Sequence, residues 1–199
     1  MSRILVTGSA GFIGTHLLPE INGHEVVGYD FGKRFVHGPF DGIIHLAAIS
    51  GVAAGEKDHV ECLQTNLVLT ASLLLEFNPA WIIFASTNEK PKNVYGLSKH
   101  FAEDYIRLHG TKHIIIRLSN VYGPGMREDK LLPRLKRGDA VELYDDALPF
   151  EYIHVDDVVA QIVRMIPTFE NQAFKSYTLK MASGVANSEK QLRHVAASY

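Results

Sequence analysis

Three glycines follow the first apolar segment of the chain at the spacing G-x-x-G-x-x-G, in the stretch TGSAGFIG at residues 7–14. The apolar run Ile4 to Val6 before them predicts a buried strand, and a helix is predicted to begin after them. In such a unit Gly8 allows a tight turn, Gly11 lets the backbone approach a pyrophosphate, and Gly14 lets the helix pack closely on the strand. Free N–H groups at the helix N-terminus also favour phosphate. The segment therefore predicts a dinucleotide-binding turn.

Asp30 ends the next predicted strand, Glu25 to Asp30, where a carboxylate can accept hydrogen bonds from the hydroxyls of an adenosine ribose. Because a carboxylate repels a 2′-phosphate, Asp30 favours NAD over NADP. Lys33 and Arg34 lie close by in the sequence and keep NADP open as the second choice. Strand, loop, helix, strand and acid follow one another in the order that a dinucleotide site requires.

Apolar strands alternate with helices over the first 120 residues. Strands are predicted at Ile4 to Val6, Glu25 to Asp30, Ile43 to Leu46, Trp81 to Phe84 and His113 to Arg117, and helices at Phe12 to Leu18, about Lys57 to Phe77 and Leu97 to His109. This alternation predicts an α/β fold with a doubly wound, mostly parallel sheet covered by helices on both faces.

Beyond residue 120 the pattern loosens. Helices are predicted at Lys130 to Arg137, Val155 to Ile166 and Ser188 to Ala197, and short strands at Val141 to Tyr144, Tyr152 to Ile153 and Tyr177 to Leu179. We therefore expect residues 1–120 to form a dinucleotide-binding domain. Residues 121–199 are expected to form a small, shortened substrate-binding region that is interleaved with that domain.

Composition restricts the functions that such a fold can serve. The 20 Lys plus Arg against 22 Asp plus Glu give a formal net charge of −2, without the excess of basic residues that nucleic acid binding requires. No apolar run approaches the roughly 20 residues that span a bilayer, and the first residues lack the features of a secretion signal. The single cysteine, Cys62, fits a reducing compartment. We expect a cytoplasmic protein that binds neither nucleic acid nor a membrane.

The ten histidines predict no metal site. His109 and His113 are four residues apart, but Gly110 and a change from helix to strand lie between them. The two rings therefore share no helical face from which they could bind one ion.

A phenol and an ammonium lie four residues apart in Tyr95-Gly96-Leu97-Ser98-Lys99, at the start of a predicted helix, and so share one face. An unperturbed phenol has a pKa of about 10 and is a poor base at neutral pH, but a nearby cation stabilises the phenolate. Ser86 and Thr87 follow the fourth predicted strand and bring hydroxyl groups to the same edge of the sheet. These residues predict a site that exchanges a proton with a substrate hydroxyl.

With these motifs the chain resembles an extended short-chain dehydrogenase/reductase of the NAD-dependent epimerase/dehydratase family, whose members act on nucleotide sugars. The resemblance runs from about Arg3 to Leu192 and implies a Rossmann domain in an abbreviated form. The motifs that carry it are TGSAGFIG at residues 7–14, Asp30, HLAA at 45–48, Asn66, AST at 85–87, YGLSK at 95–99, RLSNVYGPG at 117–125 and YIHVDDV at 152–158. They identify the family far more specifically than its substrate.

The resemblance implies roles for individual residues. Tyr95 would exchange the proton of a sugar hydroxyl while NAD takes the hydride, Lys99 would hold the nicotinamide ribose and lower the pKa of Tyr95, and Thr87 would orient the sugar oxygen. The implied NAD-binding residues are Gly8, Gly11, Phe12, Ile13, Gly14, Asp30, Leu46, Ala47, Ala48, Tyr95 and Lys99. The candidate substrate residues are Ser86, Thr87, Asn120 and Arg127, with Asn120 expected to face the diphosphate.

The resemblance leaves several reactions open. Ser86-Thr87-Asn88-Glu89 is similar to the S-T-x-E stretch of family dehydratases and decarboxylases, whose glutamate is a second acid or base; a solvated loop residue explains Glu89 equally well. Sugar dehydratases usually carry an acid where this chain has Asn88, and an amide cannot donate a proton as a carboxylic acid does. Epimerisation through a transient 4-keto sugar requires least of this sequence and is favoured. The alternatives are dehydration or decarboxylation, ketoreduction, and a non-catalytic NAD-binding sensor or scaffold.

Three departures from the usual family pattern affect the binding sites. Only ten residues separate Asp30 from Asp41, where the family has a helix and an edge strand, so part of the adenine pocket is expected to be missing. The segment between Thr87 and Tyr95 is also short. Phe150 stands where many relatives have an arginine for the diphosphate, and a phenyl ring cannot pair with phosphate. The candidates to replace that arginine, each of which a surface charge explains better, are Arg127, Arg134 and Arg137.

The remaining expectations concern packing. The apolar stretches Glu61 to Phe77 and Phe101 to Leu108 correspond to helices that commonly form a four-helix bundle between two subunits of this family, so a homodimer is expected. Cys62 is expected in the core or at that interface. His154 is expected to pack, or to cap a helix beside Asp156.

Overall fold

The structure is a computed structural model that describes residues 1–30, 32, 36–141 and 149–199. Lys33 and Arg34 lie outside the described residues, and so does the strand predicted at Val141 to Tyr144 except for its first residue. The described strands are β1 (Arg3–Thr7), β2 (Glu25–Tyr29), β3 (Gly42–His45), β4 (Trp81–Thr87), β5 (Lys112–Leu118), β6 (Asn120–Tyr122), β7 (Phe150–His154), β8 (Tyr177–Met181) and β9 (Gly184–Ala186). The described α-helices are α1 (Phe12–Leu17), α2 (Val52–Lys57), α3 (His59–Leu63), α4 (Leu69–Phe77), α5 (Val94–His109), α6 (Leu131–Lys136), α7 (Val155–Met165) and α8 (Glu189–Ala197).

Six strands form one parallel sheet in the order β2-β1-β3-β4-β5-β8. Successive residues of a strand point to opposite faces and here supply two separate cores. Ile4 and Val6 of β1 pack into the core that includes α1 and α7, whereas Leu5 packs into the core that includes α4 and α5. The predicted α/β fold with a doubly wound Rossmann sheet is therefore confirmed.

β2 forms one edge of this sheet and pairs with β1 alone among the described strands. This is the edge at which the additional family strand would be added. The inner strands keep both neighbours, so the short segment between Asp30 and Asp41 is compatible with the fold. The carboxyl ends of β1, β3 and β4 all lie at one edge of the sheet, where a parallel α/β fold places its binding site.

A second sheet of three short strands has the order β6-β7-β9, with β6 parallel and β9 antiparallel to β7. Leu132 of α6 and Leu192 of α8 pack beside it in a separate small core. β8 and α7 instead complete the first sheet and its core, so the two parts of the chain are interleaved. The sequence did not predict β6 and β9, because strands of three residues are too short for an alternating pattern. The division of the chain at residue 120 stays a prediction.

The long helix predicted at about Lys57 to Phe77 starts later, because Asp58 separates α2 from α3. The Oδ1 atom of Asp58 accepts a hydrogen bond from the N–H of Glu61 at 2.9 Å and caps α3. A π-helical turn at Gln64–Val68 then joins α3 to α4, so that one helix continues from residue 59 to residue 77.

This helix of 19 residues, with a mean hydropathy of 1.2, is long and apolar enough to cross a membrane by length and composition alone. That finding corrects the expectation that no such stretch exists. Leu73 and Leu74 are buried against the sheet, and Asn66 is completely buried beside α5. One face of this helix therefore packs on the protein, and 33% of the apolar window is buried.

α5 begins three residues before its predicted start at Leu97. The Oδ1 atom of Asn93 accepts a hydrogen bond from the N–H of Gly96 at 2.8 Å and caps the helix. The helix ends at Gly110, whose φ of +83° is left-handed. Tyr95 therefore lies in the first turn of α5, beside Thr87 at the carboxyl end of β4.

Candidate active site

The glycine loop at the end of β1 is closed by short contacts that allow no side chain. Gly8 has a left-handed φ of +71°, and a Cβ atom there would lie 2.7 Å from the backbone nitrogen of Ala47. A Cβ atom on Gly14 would lie 2.7 Å from the carbonyl oxygen of Ser9. The N–H of Gly11 donates to the carbonyl of Gly8 at 3.0 Å and completes the turn. The loop thus has the tight form that the sequence predicts for a dinucleotide site.

Asp30 lies beside this loop, as its position after β2 predicts. Its carboxylate accepts hydrogen bonds from the hydroxyl of Ser9 at 2.6 Å and from the N–H of Ala10 at 3.0 Å. The carboxylate therefore also holds the glycine loop in place. Phe12 and Ile13 form the first turn of α1 and pack against the core.

The segment from Leu46 to Ala48 passes directly beside the glycine loop. The N–H of Leu46 donates to the carbonyl of Thr7 at 3.1 Å, and the N–H of Ala47 donates to the Thr7 hydroxyl at 3.3 Å. Gly8, Leu46 and Ala47 are thereby brought together as the sequence predicts. Ala48 continues the same segment.

His45 is a buried polar residue that the sequence reasoning treated only as part of a motif. Its Nδ1 atom lies 2.6 Å from the Thr7 hydroxyl, and its Nε2 atom lies 2.9 Å from the Thr70 hydroxyl. The Thr70 hydroxyl donates to the carbonyl of Asn66, so it must accept from Nε2, and Nδ1 must accept from Thr7. Burial, and then the charge of Lys99, lower the pKa of His45 to about 3, which keeps the ring neutral.

Asn66 connects the cofactor side of the site to α5. Its side-chain oxygen accepts from the N–H of Ile49 at 2.9 Å, and its amide nitrogen donates to the carbonyl of Ile49 at 3.0 Å and to the Ser98 hydroxyl at 2.9 Å. The thiol of Cys62 lies in the same buried cluster, 3.7 Å from the Ser98 hydroxyl. The expectation that Cys62 is a core residue is confirmed.

Thr87 and Tyr95 meet at the carboxyl end of β4. The side chain of Thr87 lies close enough to the Tyr95 phenol to lower its pKa, and the Thr87 hydroxyl accepts from the N–H of Glu89 at 3.0 Å. The sequence reasoning expected a lowered pKa for Tyr95. The structure corrects this: burial raises the pKa of Tyr95, the hydrogen bond from Thr87 opposes that rise, and the charge of Glu89 adds to it. Desolvation of the phenolate is the dominant effect.

Lys99 is almost completely buried one helical turn after Tyr95. Its Nζ atom lies 4.0 Å from the centre of the Phe84 ring, in a cation–π contact. Burial lowers the pKa of Lys99 to about 7, against the opposing charge of Glu103 and a smaller effect of Cys62. A buried ammonium of this kind can change its charge near neutral pH.

Ser86, a predicted substrate residue, contacts a protein side chain in the structure, and its role toward the substrate stays a prediction. Its hydroxyl donates to the buried carboxylate of Glu103 at 2.5 Å. The structure therefore places this hydroxyl in a hydrogen bond between β4 and α5, whereas Thr87, the next residue, meets Tyr95.

Glu89 lies close enough to Tyr95 to affect its pKa, and its carboxylate also accepts from the side-chain amide of Asn93 at 3.1 Å. Asn93 is the residue that caps α5, so Glu89 supports the start of that helix. The side-chain amide of Asn88 points toward Glu151, with a distance of 3.5 Å from its nitrogen to the carboxylate.

The predicted substrate residues beyond β5 are spread along the second sheet. The side-chain amide of Asn120 donates to the carbonyl of Glu151 at 2.9 Å. Arg127 is exposed and pairs with Asp129 through two hydrogen bonds, so the structure does not bring it to Tyr95 and Thr87 through any described contact. Phe150 packs into the small core beside the second sheet.

Lys130 is a cation that the sequence analysis missed. It is partly buried, and its Nζ atom lies 3.3 Å from the position that a Cβ atom on Gly51 would take. Gly51 lies in the loop after β3 of the first sheet, just beyond the segment Leu46 to Ala48. The side chain of Lys130, which precedes α6 beside the second sheet, therefore lies against a loop of the first sheet. Its position just before α6 gave no sequence signal that separates it from the neighbouring arginines.

The histidine and metal predictions can also be compared with the structure. The Nδ1 atom of His154 accepts from the N–H of Asp156 at 3.3 Å and caps α7, as expected. The described residues contain no group of three or more His, Cys, Asp or Glu side chains that could hold a metal ion.

Comparisons with known proteins agree with this arrangement. A model of the family described as NAD dependent epimerase/dehydratase matches residues 4–179. UDP-N-acetyl-alpha-D-glucosaminuronate decarboxylase of Bacillus cytotoxicus is 30% identical, with coverage of 82% of this chain and 71% of the relative. A probable UDP-glucuronate 4-epimerase of Rhizobium meliloti is 26% identical over 85% of this chain and 70% of the relative.

A solved structure, MoeE5 in complex with UDP-glucose and NAD, matches with a TM-score of 0.80 and 27% identity, over 98% of this chain and 81% of that one. The chain thus matches 71% of the first of these relatives and 81% of that solved chain.

Proposed function

The chain belongs to the NAD dependent epimerase/dehydratase family, and we propose that it epimerises a nucleotide sugar through a transient 4-keto intermediate. The observation that carries this proposal is the placement of Tyr95 beside Thr87 at the end of β4, one helical turn before the buried Lys99. Epimerisation requires only these three side chains and room for the keto sugar to turn over.

NAD is the cofactor of the family, and the glycine loop fits it. The positions that a Cβ atom would fill at Gly8 and Gly14 are blocked by backbone atoms, so the loop has a closed form. The first turn of α1 follows it at Phe12 and Ile13, and its N–H groups would face a pyrophosphate. Asp30, Leu46 and Ala47 border the same loop and would hold the adenosine side. Bound NAD supplies an acceptor for a hydride from the sugar carbon and returns that hydride.

Tyr95 has the role of base and then of acid. Its phenolate takes the proton of the sugar hydroxyl as that C–O bond becomes a carbonyl, and it returns the proton to the same oxygen when the carbonyl is reduced on the opposite face. Thr87 donates to the phenolate and thereby lowers the pKa of Tyr95. Lys99 lies one turn further along α5, where its charge would favour the phenolate when substrate and cofactor are bound.

The diphosphate of the substrate is proposed to bind Lys130. The neighbouring cations already have partners, in the pairs Arg127 with Asp129, Arg134 with Asp139, and Arg137 with Glu128 and Asp139. Within the described part of the chain Lys130 has no such ion pair, and it lies against Gly51 on the cofactor side of the site. It therefore offers the charge that Phe150 lacks.

A decarboxylase or dehydratase is the second candidate, because the charge of Glu89 reaches Tyr95. In such an enzyme Glu89 would act as the second acid or base. Its hydrogen bond to the capping residue Asn93 favours a supporting role instead. Ketoreduction would use the same Tyr95, Lys99 and Thr87.

A cytoplasmic homodimer is proposed for the whole protein. Five large apolar side chains are exposed on the helices α3 to α5 and on the turn that joins α3 to α4: Val60, Val68, Leu75, Phe101 and Leu108. A second copy of this surface would cover them and form a bundle of four helices. The buried, unpaired Cys62 is consistent with a reducing compartment.

The test begins with mass spectrometry of the purified protein for retained NAD or NADP. The protein is then incubated with NAD and a panel of UDP-, GDP- and dTDP-sugars, and the products are identified by proton NMR. An epimeric sugar nucleotide of unchanged mass supports the proposal. A product that has lost water or carbon dioxide identifies the second candidate, and bound NAD without turnover of any sugar indicates a non-catalytic sensor.

A further inference from the structure

A buried carboxylate lies on the catalytic helix, one turn beyond Lys99. Tyr95, Lys99 and Glu103 are spaced by four residues and therefore share one face of α5. The side chain of Glu103 has no exposed surface. A carboxylate that is completely buried requires partners for its charge, because burial alone is strongly unfavourable.

Glu103 has four such hydrogen bonds, from two strands and from its own helix. Ser86 of β4 donates to it at 2.5 Å, and Arg117 of β5 donates through Nε at 2.9 Å and Nη2 at 2.7 Å. Arg107, one turn along α5, donates at 2.9 Å and continues to the Thr178 hydroxyl of β8. Burial opposes ionisation, but the hydrogen bonds from Arg117, Ser86 and Arg107 lower the pKa of Glu103 to about 2. Glu103 is therefore an anion at every physiological pH.

We propose that Glu103 is a positioning residue of this site, which ties the end of β4 to the helix that carries Tyr95 and places a negative charge on the same helix face as Lys99, where it favours the ammonium form of Lys99. Its catalytic consequence rests on the proposed function. Its effect on Lys99 can be measured without any substrate.

The tie to β4 acts on Thr87 through its neighbour. Ser86 and Thr87 are consecutive, so the hydrogen bond from Ser86 to Glu103 fixes the strand end on which Thr87 presents its hydroxyl to Tyr95. Both ends of this connection belong to α5, since Glu103 and Tyr95 lie on the same helix. The hydrogen bond from Ser86 to Glu103 is therefore a second attachment between β4 and α5, in addition to the interaction of Thr87 with Tyr95.

The charge acts on Lys99 within an apolar environment. The ammonium faces the ring of Phe84, which supplies no formal charge. The titratable groups that interact with it are His45 from β3, Cys62 from α3 and Glu103 from α5. Tyr95 lies one turn before it on α5. His45 is neutral, Tyr95 is protonated in the free protein because its pKa is raised, and Glu103 is the group that opposes the burial of Lys99 most strongly.

The experiment measures the pKa of Lys99 by NMR of protein labelled with ¹³C at the lysine Cε atoms, with Lys99→Met to assign the resonance. Glu103→Gln keeps the shape of the side chain but removes its charge, and it is expected to lower the pKa of Lys99 by about one unit or more. Ser86→Ala is the matched variant that removes the tie and keeps the charge. It is expected to leave the pKa of Lys99 unchanged while kcat falls by up to about 100-fold with little change in KM.

Arg107→Gln keeps the test decisive if Glu103→Gln does not fold, which circular dichroism will show. Arg107 is partly exposed, so its loss is tolerated more easily, and removing a cation beside Glu103 is expected to raise the pKa of Lys99. An unchanged Lys99 pKa in folded Glu103→Gln, or a lowered one in Arg107→Gln, would overturn the charge assignment.

The experiments distinguish a wrong role for Glu103 from a wrong epimerase activity. If the pKa of Lys99 moves as expected in a protein that converts no sugar nucleotide, the role of Glu103 stands and the epimerase activity is wrong. If the wild type epimerises a sugar nucleotide and Ser86→Ala retains its full kcat, the tie through Ser86 is wrong and the proposed function stands.

Discussion

The hydroxyl of Thr7 lies 2.6 Å from Nδ1 of His45 and joins two neighbouring parallel strands beneath the cofactor loop. Thr7 ends β1 where the glycine loop begins, and His45 ends β3 where the segment Leu46 to Ala48 begins. The same Thr7 hydroxyl accepts from the N–H of Ala47. One buried hydrogen-bond chain therefore sets the spacing between both sides of the proposed NAD site.

The neutral state of His45 predicts a pH-dependent stability. Its pKa is about 3 in the folded protein, whereas an unfolded histidine titrates at about 6.5. Between these values the unfolded chain binds more protons, so His45 makes the free energy of unfolding decrease as the pH falls below about 6.5, by up to about 1.4 kcal/mol per pH unit. His45→Phe removes this contribution but leaves the Thr7 and Thr70 hydroxyls without their partner, which costs about 2–4 kcal/mol at neutral pH.

Urea unfolding of both proteins at a series of pH values checks this. The difference in stability between wild type and His45→Phe should shrink as the pH falls. The exposed His194 provides the control, since His194→Phe is expected to change stability by less than about 0.5 kcal/mol at any pH. A difference that stays constant with pH would show that His45 is not held neutral.

Gly14→Ala is predicted to disrupt the cofactor loop. The new Cβ atom would lie 2.7 Å from the carbonyl oxygen of Ser9, so the loop must move and its N–H groups lose their positions. We expect the dissociation constant for NAD, measured by calorimetry, to rise about tenfold or more. Gly23→Ala is the control: it has open space around the new atom but a left-handed φ of +78°, so it should lose stability and keep its NAD affinity. Unchanged NAD binding in Gly14→Ala would contradict the assignment of the loop.

Asp30→Asn is predicted to weaken the preference for NAD over NADP. The substitution removes the charge that repels a 2′-phosphate and weakens the hydrogen bond from the N–H of Ala10. The ratio of the NADP to the NAD dissociation constant should fall by about tenfold or more. Asp41→Asn is the matched control, because Asp41 accepts from the N–H of Arg3 at the opposite end of β1. An equal ratio of the NADP to the NAD dissociation constant in wild type and Asp30→Asn would show that Asp30 does not determine the choice of cofactor.

The fold was predictable because its signals are local. The apolar runs of β1, β3, β4 and β5 and the glycine turn after β1 each span a few residues, and their order alone predicts a parallel sheet. The meeting of Thr87 with Tyr95 follows from the same order, since the end of β4 and the start of α5 are close in sequence.

The buried polar partners were not predictable in the same way. The sequence indicates a substrate residue at Ser86, because no local pattern connects Ser86 with Glu103. Glu103 lies 17 residues away and becomes the hydrogen-bond partner of Ser86 only when α5 packs on β4. The raised pKa of Tyr95 has a similar origin, since desolvation depends on what covers the phenol. Motifs identify residue types, whereas these effects arise from tertiary packing.

Leu75→Glu is predicted to produce a monomer. Leu75 is 68% exposed on the apolar surface of α4, where a second copy would bury it, and a buried unpaired carboxylate opposes that association. Static light scattering at micromolar concentration should give the mass of a dimer for wild type and of a monomer for the variant. Val185→Glu, at a residue that is 47% exposed on β9, should remain a dimer. A monomeric wild type would contradict the proposed assembly.

The most direct test of the account is turnover of the best sugar nucleotide from the panel by Tyr95→Phe, compared with wild type at saturating NAD. The substitution removes one hydroxyl and keeps the aromatic ring, so the fold and NAD binding should persist. We predict that the rate of epimerisation measured by proton NMR falls by about 100-fold or more. Turnover at the wild-type rate by Tyr95→Phe would contradict the assignment of Tyr95 as the group that exchanges the substrate proton.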